Sequence, residues 1–251
     1  MAINRTEAIV LKKQDFRETS LIAHFYTRDF GKVSGLLKGI RTEPTKFASS
    51  VEPFSFNEII YYQKRNSALH LVSQCDVKEN FAQLRQSLIK SAIASLMMEL
   101  LGAVMGQEDK NVEVFDLALA SLKELDKTYQ PEKIMMIFKI KMLSLSGFQP
   151  HFESCLACGG RILDQAKFSL AQGGLLCSRC FGKDSKARSI FRGTTATLLH
   201  IQKNDFCVNL NLGMNPQIKK ELEVILNSFI NFHLEKELKS QRVLNDLAVP
   251  V

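Results

Sequence analysis

Two CxxC pairs constrain the fold of this chain more than any other feature of its sequence. Eighteen residues separate the pair Cys155–Cys158 from the pair Cys177–Cys180. One CxxC turn directs two thiolates at a single ion, and a second turn across a short hairpin completes a tetrahedral four-sulfur site. The spacing therefore predicts a structural Zn²⁺ site, closed to catalysis, with the ligands Cys155, Cys158, Cys177 and Cys180.

Two disulfides, two redox-active CxxC motifs and ordinary buried thiols are the alternatives. The chain begins with the polar segment Met1–Arg5 and has no apolar leader, so we expect a cytoplasmic protein with reduced thiols. A redox-active motif needs only one pair, at the start of a helix. His151, four residues before Cys155, could compete as a ligand, but four thiolates are already present and we expect this histidine at the surface.

Length and charge limit the classes of protein to consider. A chain of 251 residues can form one large domain or two to three small ones. No run of eighteen apolar residues occurs, so we expect no membrane span. The net charge of +7 arises near both ends of the chain, which is compatible with a polyanionic partner without requiring one.

The first eighty residues have the pattern of short strands. Alternating, β-branched and aromatic residues recur between turn signals, and five strands in this length predict a small barrel. The OB-fold is the commonest five-stranded form, and an SH3-like barrel fits the pattern almost as well. The predicted strands are Glu7–Gln14, Thr19–Thr27, Gly31–Lys38, Pro53–Tyr62 and Ala68–Val77.

The segment between the third and fourth predicted strands is a loop with three cations. Lys38, Arg41 and Lys46 accompany the aromatic Phe47, and the Gly, Pro and Ser content indicates irregular structure. Loops of this kind hold single strands on OB barrels by pairing cations with phosphates and stacking bases on rings. A solvated polar loop without a ligand is the alternative.

From Phe81 onward the apolar residues recur at three- and four-residue steps, which predicts amphipathic helices. Methionines at helical spacing, Met97, Met98, Met135 and Met136, are expected to fill the core. The predicted helices are Phe81–Val104, a segment near Val112–Leu122, one from Pro131 to Gly147, a short one over Thr195–Lys203, and one capped by Asn215 that runs to about Lys239.

Helices both precede and follow the cysteines, so the predicted fold is α+β. An N-terminal five-stranded OB-like β-barrel is followed by an all-helical domain that carries an inserted four-cysteine zinc lobe. The predicted domains are 1–80 for the barrel, 81–150 with 190–251 for the helices, and 151–189 for the lobe. A second basic stretch, with Lys183, Lys186, Arg188 and Arg192, fits either a nucleic-acid contact or an exposed linker.

Catalysis has little support in the sequence. The five histidines are scattered, and no HExxH, GxxxxGK[ST] or GxSxG motif occurs. Cys75 and Cys207 each lie on an apolar pattern and are predicted to be core thiols. The sequence therefore favours a binding protein, and an enzyme assembled from distant residues is the alternative.

In the order of its parts, the chain resembles the bacterial RecO family. The most specific parts of the resemblance are the Thr27–Arg41 segment and the cysteine lobe. The matching segments are Glu7–Lys12, Glu18–Leu21, Tyr26–Val33, Lys38–Arg41, and Pro53–Phe54 leading to Tyr61–Tyr62.

The resemblance implies a non-enzymatic role in DNA repair and recombination, in the cytoplasm at the nucleoid. Such proteins bind single- and double-stranded DNA (ssDNA and dsDNA) and anneal complementary strands coated by single-strand binding protein (SSB). They act with RecR to load RecA, and the acidic tail of SSB docks on the helical domain. The resemblance assigns DNA contacts to Lys32, Lys38 and Arg41, and Lys46 joins them by loop position only. A zinc-ribbon RNA-binding or translation-associated factor is the alternative.

Overall fold

The computed structural model describes residues 2–40, 51–162 and 165–248. The chain divides into two compact units, one formed by Met1–Pro131 with Leu238–Val251 and the other by Glu132–Glu237. The three-part domain division expected from the sequence stays a prediction. Among the described residues, no helix combines the length and apolarity that a membrane crossing requires.

The first unit begins with a closed five-stranded barrel, as predicted. The strand order is β1-β2-β3-β5-β4, in which β3 and β5 are the parallel pair, and this arrangement is OB-like. The strands are β1 (Ala2–Phe16), β2 (Ser20–Thr27), β3 (Gly31–Leu37), β4 (Phe56–Gln63) and β5 (Leu69–Glu79).

Strand β1 is longer than its sequence pattern predicts because it serves two neighbours. Its first half pairs with β4 and its second half with β2, and a bulge between Val10 and Lys12 lets the strand bend between them. Alternate residues of the strands fill the barrel, including the fully buried Phe25, Leu37 and Ile59. Inward alternation is therefore what closes this sheet around a core.

The helices of the first unit are α1 (Ala82–Arg85), α2 (Leu88–Val104), α3 (Val112–Lys127) and α8 (Lys239–Ala248). The prediction of one helix over Phe81–Val104 was wrong. Ser87 has an extended backbone, and its side chain accepts a hydrogen bond from the Lys90 amide. This N-cap starts a new helix, so the apolar stripe continues across a break in the backbone.

In the second unit, three short strands and a 3₁₀ turn at Ser178–Lys183 lie between α4 (Pro131–Leu145) and α5 (Arg192–Lys203). The strands are β6 (Ala166–Ser169), β7 (Gly174–Cys177) and β8 (Arg188–Ile190), with β6 in the centre. After α5 come α6 (Phe206–Asn209) and α7 (Pro216–Leu234), which Asn215 caps as predicted.

Two further predictions in this part of the chain were wrong. The helix that begins at Pro216 ends at Leu234, not near Lys239, because Glu235 adopts the left-handed conformation with φ 53°. Cys207 is exposed, since it lies on the short surface helix α6. Cys75 is buried in the barrel as predicted, and the predicted core methionines are buried, namely Met97, Met98, Met135 and Met136.

Candidate metal centre and nucleic-acid surface

The four predicted cysteine ligands come together in the second unit. All their Sγ atoms lie within 4.8 Å of one another, and the Cys158 and Cys177 sulfurs are 3.8 Å apart. A tetrahedral ion with metal–sulfur bonds of about 2.3 Å places its sulfurs about 3.8 Å apart. The cluster Cys155, Cys158, Cys177 and Cys180 can therefore hold a metal ion.

Backbone hydrogen bonds fix the first CxxC turn. The Gly159 amide donates to the Cys155 carbonyl at 2.8 Å, and the Cys155 amide donates to the Gly160 carbonyl at 2.9 Å. Gly159 has φ +68°, a conformation that glycine adopts without the steric cost of a Cβ. Across the hairpin, the Cys177 amide donates to the Cys155 sulfur at 3.3 Å. This hydrogen bond joins the two CxxC turns without the help of a bound ion.

The same donors favour the thiolate that a metal needs. Desolvation opposes ionisation of Cys155, but amides of Cys177, Cys158 and Ala157 donate to its sulfur and lower its pKa to about 6. Desolvation and the neighbouring thiols raise the pKa of Cys180 to about 12. An incoming cation would have to displace the proton of Cys180, so metal binding releases protons here.

His151 does not join this cluster. Its Nε2 atom lies 2.8 Å from the Ser154 hydroxyl, and the residue is half-buried where the sequence predicted a surface position. Around the sulfurs, the described apolar core is small, with Leu176 and Ala187 packed against Cys155 and Cys177. On the other side of the hairpin, the buried Phe168 stacks on Phe152 with ring centroids 5.4 Å apart.

The predicted DNA contacts on the barrel lie in different environments. Lys38 is exposed directly after β3 and has no ion-pair partner among the described residues. Lys32 is half-buried, and its ammonium donates to the Gly102 carbonyl at 2.9 Å. Arg41 and Lys46 lie outside the described residues, and DNA binding by all four stays a prediction.

Arg17 is a further cation beside Lys38 that the sequence reasoning missed. Leu21 of β2 pairs with both Asp15 and Leu37, which places the β1–β2 turn and the residue after β3 at one end of the barrel. Arg17 forms the tip of this turn with φ 56°. A turn signal was visible in the sequence, but only the strand register shows that Arg17 and Lys38 share an end.

Many other barrel cations are already neutralised by carboxylates. Arg5 contacts Glu58 at 2.6 Å, and Lys13 contacts Glu52 at 2.6 Å. Such exposed pairs contribute little to stability, but they reduce the charge that a phosphate would meet. Arg17 and Lys38 have no such ion pair among the described residues, although the exposed Asp15 and Glu18 lie at the same end of the barrel.

The basic stretch after the last cysteine is exposed. The nearby carboxylate of Asp184 accepts from the Ser169 hydroxyl at 2.6 Å and from the Lys186 amide at 2.8 Å, so it is held within its own turn. A nucleic-acid contact by this stretch stays a prediction. Its exposed residues are Lys183, Lys186, Arg188 and Arg192.

A closed OB-like barrel, followed in the chain by helices and a four-cysteine lobe, defines a class of barrel-and-helix proteins. Two family models match the chain: recombination protein O N terminal over residues 1–81, and recombination protein O C terminal over residues 85–242. The chain therefore belongs to the RecO family of DNA repair proteins, and the resemblance expected from the sequence is confirmed.

Individual relatives agree with this assignment along nearly the whole chain. The DNA repair protein RecO of Syntrophus aciditrophicus is 30% identical over 250 residues, which cover 98% of this chain and 96% of the relative. The DNA repair protein RecO of Dehalococcoides mccartyi is 31% identical over 245 residues, covering 97% and 96%. That of Desulforamulus reducens is 30% identical over 248 residues, covering 98% and 96%.

Proposed function

We propose that this protein is a recombination mediator that works by binding DNA and not by catalysing a reaction. It binds ssDNA and dsDNA, anneals complementary strands coated by SSB, and promotes RecA loading together with RecR. The observation that carries the proposal is the match of both RecO family models, which together span residues 1–81 and 85–242. The place of action is the cytoplasm, at the nucleoid.

The basic end of the barrel is the proposed DNA-binding surface. Lys38 and Arg17 lie there on described backbone, and Arg41 and Lys46 follow Lys38 in the chain. Cations on this surface neutralise the phosphates of two strands and so reduce the repulsion that separates complementary ssDNA. Lys32 would reach DNA only by giving up its bond to Gly102, so we assign the main contacts to the exposed cations.

The proposed metal is a structural Zn²⁺ ion held by Cys155, Cys158, Cys177 and Cys180. When bound, it crosslinks the two CxxC turns and takes no part in a reaction. In the proposed domain division, the lobe 151–189 that holds this ion is inserted between the helical parts 81–150 and 190–251. We assign the docking of the acidic SSB tail to that helical domain.

Strand annealing is the experiment that tests this function. SSB-coated complementary oligonucleotides are mixed at two salt concentrations with the wild type, with Lys38→Glu/Arg41→Glu, or with the control Lys123→Glu/Lys127→Glu. The control reverses the same amount of charge on two exposed lysines of α3, and it is also compared on bare complementary strands because α3 belongs to the helical domain assigned to the SSB tail. We expect salt-sensitive annealing by the wild type and the control, and its loss in Lys38→Glu/Arg41→Glu.

Two results would contradict the proposal in different ways. A wild type that anneals no SSB-coated strands would remove the mediator function altogether. Full annealing by Lys38→Glu/Arg41→Glu would leave the function but move its DNA surface away from this end of the barrel. Tighter binding of structured RNA than of ssDNA would favour the RNA-binding alternative.

A further inference from the structure

A cleft of about 750 Å³ opens at the other end of the barrel from Lys38. Its walls include the turn after β4, with Lys64 and Arg65, and the segment between α2 and α3, with Glu108. A recess of about 180 Å³ lined by Phe30 and Tyr61 shares Glu108 with the cleft. Ligand sites are frequent in the mouths of β-barrels, and loops converge at this mouth.

The strand register separates this cleft from the basic end described above. Strand β5 pairs with β3 from Ser34 onward, beginning at Leu69, so the β4–β5 turn lies toward the start of β3. Lys38 follows the last residue of the same strand. At about 3.3 Å per residue, the two sites lie too far apart for one phosphate to bridge them.

Lys64 and Arg65 supply positive charge at the cleft. Neither has a carboxylate partner among the described residues, whereas Lys78 on the adjacent strand contacts Glu7 at 2.9 Å. Arg65 is exposed and Lys64 is half-buried. Two neighbouring cations of this kind suit the phosphate groups of a nucleic acid backbone.

On one side of the cleft, His70 is buried and packed against the barrel. His70 is only 4% exposed, and its ring stacks on Tyr61 with centroids 5.5 Å apart and an angle of 18°. Burial lowers the pKa of His70, and its Nδ1 atom accepts from the Lys64 amide at 3.4 Å. This hydrogen bond ties the turn that bears Lys64 to the buried ring.

Glu108 places a hydrogen-bond acceptor in the same cleft. Its backbone is left-handed with φ 56°, a conformation that is strained for a residue other than glycine. The Glu108 amide donates to the Lys32 carbonyl at 3.4 Å, which fixes the segment against β3. Because an ionised carboxylate only accepts hydrogen bonds, this group selects a ligand edge that offers donors.

We propose that the cleft binds one nucleotide of ssDNA, with its phosphates at Lys64 and Arg65 and its base edge at Glu108. Guanine suits the carboxylate best, because its free Watson–Crick edge offers two adjacent donors, N1–H and the N2 amino group. Thymine offers a single N–H between two carbonyl oxygens that the carboxylate repels. This inference rests on the proposed DNA-binding function and adds to it a second contact with a preference among bases.

Fluorescence anisotropy with three 20-nucleotide probes tests the base contact. The probes are oligo(dT), the same oligonucleotide with deoxyguanosine at every fourth position, and a third with deoxyinosine in those places, which lacks the N2 amino group. We expect the wild type to bind the guanine probe about fivefold more tightly than the inosine probe. This ratio corresponds to the loss of one hydrogen bond, the one from the N2 amino group. Glu108→Gln should remove this preference without weakening binding to oligo(dT), and the exposed Glu132→Gln serves as the matched control.

Lys64→Glu/Arg65→Glu tests the phosphate contact. It should weaken binding to all three probes and make the slope of log affinity against log salt shallower by about 1.4, at roughly 0.7 per phosphate on single strands. The control Lys123→Glu/Lys127→Glu should keep the wild-type slope. Urea unfolding of each variant establishes that it is folded under the assay conditions.

The possible outcomes separate a failure of the cleft proposal from a failure of the proposed function. Equal wild-type affinity for the guanine and inosine probes overturns the base contact without recourse to any variant. A wild-type slope in folded Lys64→Glu/Arg65→Glu overturns the cleft as a DNA site, while loss of binding in Lys38→Glu/Arg41→Glu would still support the basic end. Absence of wild-type binding to every probe overturns the proposed function, and the cleft proposal with it.

Discussion

The ammonium of Lys32 donates a hydrogen bond of 2.9 Å to the carbonyl oxygen of Gly102. Gly102 lies in the last turn of α2, where carbonyl groups have no partner within the helix. A cation at this end also interacts favourably with the helix dipole. Lys32 thus connects β3 to the C-terminus of α2, a structural role that the sequence did not indicate.

We therefore expect Lys32→Met to lower the free energy of unfolding by about 1.5–3 kcal/mol, the range for a hydrogen bond to a charged group. Urea unfolding measures this loss. Lys38→Met, which removes an exposed cation next to the same strand, should change stability by less than about 0.5 kcal/mol. A Lys32→Met variant of wild-type stability with greatly weakened ssDNA binding would instead support a direct DNA contact.

The salt dependence of ssDNA binding measures how many phosphates the protein engages. If about four to six are engaged, the slope of log K against log salt should be near −3 to −4. Lys38→Glu/Arg41→Glu should weaken binding and make this slope shallower, because two phosphate contacts are replaced by repulsion. Titration at four salt concentrations checks the slope, and an unchanged slope would place the contacts elsewhere, with the cleft cations Lys64 and Arg65 and the stretch Lys183–Arg192 as the next regions to test.

The barrel and the metal cluster were predictable because each depends on short-range patterns. Alternation with period two marks a strand regardless of its neighbours, and a CxxC turn positions both of its sulfurs locally. The four cysteines accordingly meet within 4.8 Å at the positions that their spacing predicted. Local geometry of this kind does not depend on how the rest of the chain packs.

Features set by the backbone or by distant contacts were not predictable in the same way. The apolar stripe crosses Ser87 without interruption, so periodicity alone did not show the break between α1 and α2. Glu235 ends α7 in a left-handed conformation that glycine usually supplies, and a glutamate gives no such signal. The cleft joins Lys64 to Glu108, which are far apart in the sequence and meet only through the barrel register.

Removal of the metal should unfold the four-cysteine lobe while leaving ssDNA binding by the barrel. In small zinc domains, metal binding contributes of order 10 kcal/mol of free energy. The described apolar cluster around the four sulfurs of this chain is small. We expect a chelator or Cys180→Ser to expose residues 151–189 to limited proteolysis and to lower the melting temperature. Cys207→Ser is the matched control, since this cysteine is exposed, and a chelated protein with unaltered melting and cleavage would contradict the structural role of the metal.

Lys139 should make the stability of the second unit depend on pH. Its ammonium on α4 donates to Asn227 Oδ1 on α7 at 2.6 Å, and burial lowers its pKa from 10.5 to about 8, partly opposed by the charge of Glu223. The unfolded chain binds this proton more tightly, so stability should rise as pH increases from about 8 toward 10.5. Relative to Lys139→Met, the wild type should gain about 2–3 kcal/mol between pH 7 and pH 10, measured by urea unfolding at each pH. The exposed Lys220→Met should follow the wild-type curve, and parallel curves for the wild type and Lys139→Met would show that the pKa of Lys139 is not lowered.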